Sequence, residues 1–156
     1  MKTDPKNELT IVRVLDAPRD KVWRACREVE ALRQWWGQPE DATMPFCTVD
    51  FRVGGALHFG VERPGHAQIW FKCFYRDIVE GELLVLEQHL SDAAGRELDS
   101  AEWPASTITL RLEDRGGKTK LTVVHAGIGF GRATIENYNQ GWSETLDRLA
   151  ACLARA

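Results

Sequence analysis

The chain carries four histidines, His58, His66, His89 and His125, and four cysteines, Cys26, Cys47, Cys73 and Cys152. Imidazole changes its charge nearest neutral pH, so histidine is the first candidate for acid-base or ligand-anchoring work. A zinc helix would show His-x-x-x-His and a calcium loop would be rich in carboxylates, and neither pattern occurs. The cysteines stand far apart with no Cys-x-x-Cys pair. Their spacing predicts buried thiols serving as small apolar side chains in a reducing compartment. An activated serine of the hydrolase kind needs Gly-x-Ser-x-Gly, which is also missing. The glycines of Gly127-Ile128-Gly129-Phe130-Gly131 lack the Gly-Lys-Ser/Thr ending of a phosphate cradle, and read as a flexible loop entering a helix. These patterns assign no catalytic residue, no metal and no cofactor.

Any chemistry depends on the elements that hold these residues. Glu8 to Leu15, ELTIVRVL, alternates apolar and polar residues and predicts a half-buried strand. In DAPRDKVWRACREVEALRQWW, Asp16 can cap a helix and Pro18 suits a first turn. Val22, Trp23, Cys26, Val29, Leu32 and Trp36 recur at helical spacing, which predicts one helix or two short ones broken near Arg27 to Glu30. From Thr43 the period becomes two and predicts strands over Thr43 to Val53, Ala56 to Val61, Ala67 to Val79, Leu83 to Leu90, Ser106 to Glu113 and Lys118 to Ala126. Turn residues such as Gly54-Gly55, Arg63-Pro64-Gly65, Glu80-Gly81-Glu82 and Arg115-Gly116-Gly117 separate them. Links this short join antiparallel neighbours, because a parallel crossover needs about a dozen residues or more. The polar link Ser91 to Ala105 is long enough to be a flap or a linker. Arg132 to Ala156 follows, with Ile135, Tyr138, Trp142, Leu146, Leu149 and Leu153 on one helical stripe. The order predicts a two-layer α+β architecture, with about seven antiparallel strands covered by a long C-terminal helix.

Strand parity then sorts the candidates. Leu57, Phe59 and Val61 share a face, as do Ile108, Leu110 and Leu112, and Leu121, Val123 and His125. In the fourth strand Ile69, Phe71, Cys73 and Tyr75 point inward if Lys72 and Arg76 point out. His125 is thus the one histidine with core parity; His66 falls in a hairpin turn, and His58 and His89 face away. It can be hydrogen-bonded structure, a ligand anchor or a general base. Glu87 and Glu144 would reach an interior space only with the opposite parity. A curved sheet under one helix, rimmed by Trp35, Trp36, Trp103, Tyr138 and Trp142, can leave an apolar hollow of the kind that takes small ligands. Gly141, costly inside a helix by about 1 kcal/mol relative to Ala, suggests close approach of the sheet or room for a ligand.

Composition narrows the partners. The 156 residues are 44% hydrophobic and 28% charged with a net charge of -3, an ordinary globular balance for a chain forming one domain. Basic residues are scattered, which speaks against nucleic acid. No apolar stretch approaches the roughly 18 residues of a membrane span, and MKTDPKNEL has no signal-like apolar core, so a cytoplasmic protein is expected.

The fragments DAPRDKVW, LRQWWG, VDFRVGGALHF, FYRDIVEGELLVLE, TKLTVVHAGIG and GWSETLDRLAACL run in order from about Leu9 to Leu153. Together they resemble the START-like helix-grip (Bet v 1-like, SRPBCC) superfamily. Within it, they resemble the small bacterial proteins similar to the C-terminal domain of the activator of the heat-shock-protein-ninety ATPase. The resemblance implies a single helix-grip domain, an antiparallel sheet gripping the C-terminal helix, with a cavity between them. It also implies that LRQWWG ends the short helices closing one mouth of that cavity, so that Trp35 and Trp36 either seal the core edge or touch ligand.

Three functions follow as expectations. The first is binding of a small hydrophobic or amphipathic molecule against Trp35, Trp36, Phe59, Phe71, Tyr75, Tyr138 and Trp142, with His125 as the polar contact. The second is co-chaperone-like stimulation of a heat-shock-protein-ninety ATPase. In the eukaryotic activator a separate N-terminal domain carries essential contacts, for which these 156 residues leave no room. The third is an enzyme like the polyketide cyclases and aromatases of the same fold. A homodimer through strand edges or Trp103 is a further possibility for the chain.

Overall fold

The computed structural model of the chain describes residues 7–37, 41–100, 103–128 and 134–155. The elements in order are β1 (Glu8–Leu15), α1 (Arg19–Arg27), α2 (Val29–Trp35), β2 (Thr43–Val49), β3 (Ala56–Glu62), β4 (Ile69–Val79), β5 (Leu83–Ser91), β6 (Ser106–Arg115), β7 (Lys118–Ala126) and α3 (Thr134–Arg155). The seven strands form one sheet in the order β1-β7-β6-β5-β4-β3-β2, antiparallel at every ladder. Strands β2 to β7 therefore meander, as the short links dictate for all but β5 and β6, which pair antiparallel across the long loop between Ser91 and Ser106, and β1 returns to the far edge beside β7. This is the expected α+β helix-grip arrangement, with two short helices after the first strand and a long one at the end.

The break between α1 and α2 falls at Glu28, whose extended backbone (φ -81°, ψ 132°) ends one helix and starts the next. Its N–H donates to the Arg24 carbonyl at 2.9 Å and its own carbonyl accepts from Leu32 N–H at 3.0 Å. Pro18 occupies the cap position itself, and no side chain caps the helix, so Asp16 does not take the capping role its position suggested. After α2, Trp36 closes the last turn by donating to Leu32, and Gly37 (φ 59°) reverses the chain. A Cβ on Gly37 would lie 3.3 Å from the Phe59 ring, so this turn seats the Trp35-Trp36 pair against β3.

One face of the sheet is apolar, as parity predicted: Leu57, Phe59, Val61, Cys73, Tyr75, Leu84, Leu86, Ile108, Leu110, Leu112, Leu121, Val123 and His125 are all buried. Against this face α3 buries Trp142, Thr145, Leu146, Leu149, Cys152 and Leu153, one stripe at three- and four-residue spacing. Among the described residues no Asp, Glu, Lys or Arg is buried. No described helix is long and apolar enough to cross a membrane.

Several expectations change. The second strand stops at Val49 rather than Val53, because the chain turns through Gly54 (φ 86°) and Gly55 to bond the backbone of Tyr75. The fourth begins at Ile69 rather than Ala67 and carries a bulge between Tyr75 and Asp77. Gly141 neither meets the sheet nor borders a hollow: it is exposed, and a Cβ there would find nothing within 4 Å. The rotation of α3 that buries Trp142 turns its neighbour to solvent. Gly129, Phe130 and Gly131 lie outside the described residues.

Candidate functional site

The polar centre of the interior is a three-residue relay. Ser106 opens β6 and His125 ends β7, and the ladder that pairs Ile108 with His125 sets the two side chains diagonally on the inner face. The Trp142 indole N–H, on α3, donates to His125 Nδ1 at 3.0 Å, and His125 Nε2 lies 2.8 Å from Ser106 Oγ. An indole N–H only donates, so Nδ1 must carry the lone pair and Nε2 the proton, which it gives to the serine oxygen. Burial pushes the imidazole down from 6.5 to about 4, and its exposure is only 2%. With both nitrogens engaged in this way, His125 has no free lone pair with which to act as a general base.

Aromatic rings extend from this relay in both directions. On one side His125 meets Trp142 (centroids 6.1 Å apart), Trp142 meets Trp36 (5.9 Å) and Trp36 meets Trp35 (5.4 Å). On the other, His125 meets Tyr138 (4.8 Å), Tyr138 meets Trp103 (6.3 Å), Trp103 meets Phe71 (5.5 Å) and Phe71 stacks on Phe59 (5.6 Å). Since Phe59 also lies against Gly37, the series runs from the end of α2 across α3 and the long loop and back to β3. Most contacts are edge-to-face, each worth about 0.5–1.5 kcal/mol beyond area burial.

Trp35 and Tyr75 belong to other surroundings. Trp35 is 0% exposed and its indole donates to the Ala25 carbonyl at 2.8 Å, tying α2 to α1. Tyr75 packs edge-on against Phe51, which in turn meets Trp23. The Tyr75 hydroxyl and the indole N–H groups of Trp23 and Trp36 are buried without a hydrogen-bond partner among the described residues. Burial holds the thiols protonated, Cys26 at about 12 and Cys47 at about 11, so neither is a ready nucleophile.

The long loop after β5 supplies a wall and an opening. Its first half is pinned to the outer face: Asp92 Oδ1 accepts from the backbone N–H groups of Ala94 and Arg96, His58 Nε2 donates to the Asp92 carbonyl at 3.1 Å, and Lys72 Nζ donates to the Gly95 carbonyl at 3.2 Å. Leu98 N–H then donates to Leu90. Beyond it Trp103 turns inward against Phe71 and Tyr138 and is half-buried. Between the loop and the end of β5 lies a cleft of about 440 Å³, with Leu90, Leu98, Trp103 and Pro104 among its walls and His89 and Asp99 at its polar side. His89 itself donates to Glu87, which also accepts from Arg76, on the outer face where parity put them.

Of the expected site residues, Trp36, Phe59, Phe71, His125, Tyr138 and Trp142 thus fall in one connected series, while Trp35 and Tyr75 lie behind or beside it. Sequence reasoning missed Ser106 as a polar partner, although it had a signal, since it shares the parity of Ile108 and Leu110; Trp103 was expected at the rim from its aromatic character, and the structure sets it against Phe71 and Tyr138.

Residues 16–154 match the family described as Activator of Hsp90 ATPase homolog 1-like protein. The chain belongs to this family. Solved structures share the fold over most of their length. Protein CV1439 from Chromobacterium violaceum is 29% identical with a TM-score of 0.76, covering 95% of this chain and 97% of that one. Protein NE0264 from Nitrosomonas europaea is 21% identical with a TM-score of 0.82, covering 97% of each. The AHSA1-like protein from Aeromonas hydrophila, at 15% identity and a TM-score of 0.72, covers 95% of this chain and 92% of that one. No curated protein matches the chain.

Proposed function

We propose that the protein binds a small hydrophobic or amphipathic molecule between the sheet and α3, without transforming it. The observation that carries this reading is the connected series of rings from Phe59 to Trp36, interrupted at its centre by one uncharged polar relay. Apolar and aromatic walls with a few oriented polar groups are what small-molecule sites are made of. The cleft beside Trp103 is the route of access in this reading. Family membership is consistent with ligand binding and leaves the ligand open. His125, with its lone pair engaged by Trp142, anchors the site rather than catalysing.

The test is native mass spectrometry of the purified protein against its denatured mass, followed by tryptophan-fluorescence titration with a panel of lipids and aromatic compounds. A non-covalent adduct or saturable quenching, weakened by Trp142→Ala or His125→Ala, is the expected result. No adduct and no response across the panel would overturn the reading, and stimulation of a heat-shock-protein-ninety ATPase would then be assayed.

A further inference from the structure

The relay leaves one proton unspent, and that proton identifies what the site recognises. Trp142 forces His125 to donate through Nε2, so the Ser106 oxygen receives a hydrogen bond from His125. The serine's own hydroxyl hydrogen therefore has no use inside the relay, and among the described residues no acceptor is bonded to it. Ser106 is only 5% exposed and shares the inner face with Ile108 and Leu110, next in sequence to the cleft-lining Pro104 and Ala105. A buried donor without an acceptor is costly, and accepting from an imidazole N–H makes the hydroxyl a better donor. A second unspent donor belongs to the same ring series: the Trp36 N–H is buried without a partner among the described residues, and its ring meets Trp142 edge-on. Among the described residues no carboxylate, ammonium or guanidinium is buried to balance a charge.

We infer that Ser106, rather than His125, makes the polar contact, and that the ligand is an uncharged ring compound bearing an oxygen acceptor such as a carbonyl. His125 and Trp142 are positioning residues that fix the direction in which the serine donates. This rests on the binding site proposed above and assigns its polar specificity. A carboxylate or an amine on the same ring system would have to surrender its hydration without a counter-charge, and is rejected.

Three probes of equal shape separate the possibilities: 2-acetylnaphthalene, 2-ethylnaphthalene and 2-naphthoate, titrated into the full chain and two variants. Ser106→Thr keeps the hydroxyl and adds a methyl, and Ser106→Val has the shape of the threonine variant with a methyl in place of its hydroxyl, so the two variants are compared with each other. The native protein and the threonine variant are expected to prefer the ketone over the hydrocarbon by roughly tenfold, the worth of one buried hydrogen bond, and to bind naphthoate least. The valine variant is expected to bind both neutral probes alike, so that the ketone-to-hydrocarbon ratio, roughly tenfold in the threonine variant, falls to about one. A ketone preference that survives in the valine variant, or naphthoate binding as tightly as the ketone, overturns the inference while leaving the binding site standing. Absence of binding by either neutral probe to the native protein overturns both. An independent readout needs no variant: ring nitrogen-15 shifts of His125 are expected to show the proton on Nε2. A proton on Nδ1 would mean that the serine hydrogen is spent on His125, and would refute the assignment.

Discussion

Acidification should weaken the fold through His125. The imidazole is 2% exposed and held down to about 4, against 6.5 in the unfolded chain. Between these values the unfolded state holds a proton that the folded state lacks, so stability rises with pH through this window. The contribution is complete above 6.5 and is lost as pH falls toward about 4. At 1.36 kcal/mol for each tenfold change in proton affinity, that gap amounts to about 3 kcal/mol. The cause is burial, which deprives the imidazolium of its hydration; a proton on Nδ1 would in addition have to displace the Trp142 N–H that now donates to it. The assay is denaturant unfolding of the native protein and of His125→Gln from pH 8 to pH 4, because glutamine does not titrate there. The native protein should lose about 3 kcal/mol more than the variant over this range. Trp142→Phe frees Nδ1, so its loss should begin at higher pH. A native-minus-glutamine difference that stays flat, or a His125 nuclear-resonance titration at or above 6.5, would refute the reasoning.

Other outcomes are expected from packing. A Cβ on Gly60 would lie 2.8 Å from the Trp70 indole, which spans the strand between Phe46 and His58, so Gly60→Ala should lower stability by about 1–3 kcal/mol in thermal unfolding. Gly141→Ala, on the exposed side of α3 with open space around it, should instead raise stability by about 0.5–1 kcal/mol, and a loss would mean that α3 packs differently. The Thr119 hydroxyl donates to the buried Ala17 carbonyl at 2.8 Å, joining β7 to the start of α1, and Thr119→Val should cost about 1–3 kcal/mol in denaturant unfolding. Arg13→Ala, which removes an exposed ion pair with Asp147, should change stability by less than about 1 kcal/mol.

Much of the scaffold was legible because period and burial are local. Alternation in ALHFGVE and KTKLTVVHA assigns their faces whatever the strand pairing, and both strands bury the residues so assigned. Short Gly-containing links left only antiparallel neighbours from β2 to β5 and for β6 with β7, while the long link between Ser91 and Ser106 left the β5–β6 pairing to the tertiary structure. The stripe of Trp142, Leu146, Leu149 and Leu153 required a surface to cover, and the sheet is that surface. Gly141 was misread because a helical stripe locates the buried face only to within a residue's width; packing of Trp142 set the final rotation.

The sequence by itself determined the sheet, its buried face, the covering helix and the placing of one histidine among apolar neighbours, because each follows from patterns spanning a few residues. Only the tertiary structure decided what that histidine does. Its partners stand 19 and 17 residues away along the chain, on another strand and on α3; the Trp142 donor sets the tautomer, and burial between the layers lowers the pKa. Likewise Trp103 became a wall only where the loop returned over Phe71 and Tyr138. Local patterns say which side chains leave water; which donor meets which acceptor there depends on how the layers are brought together.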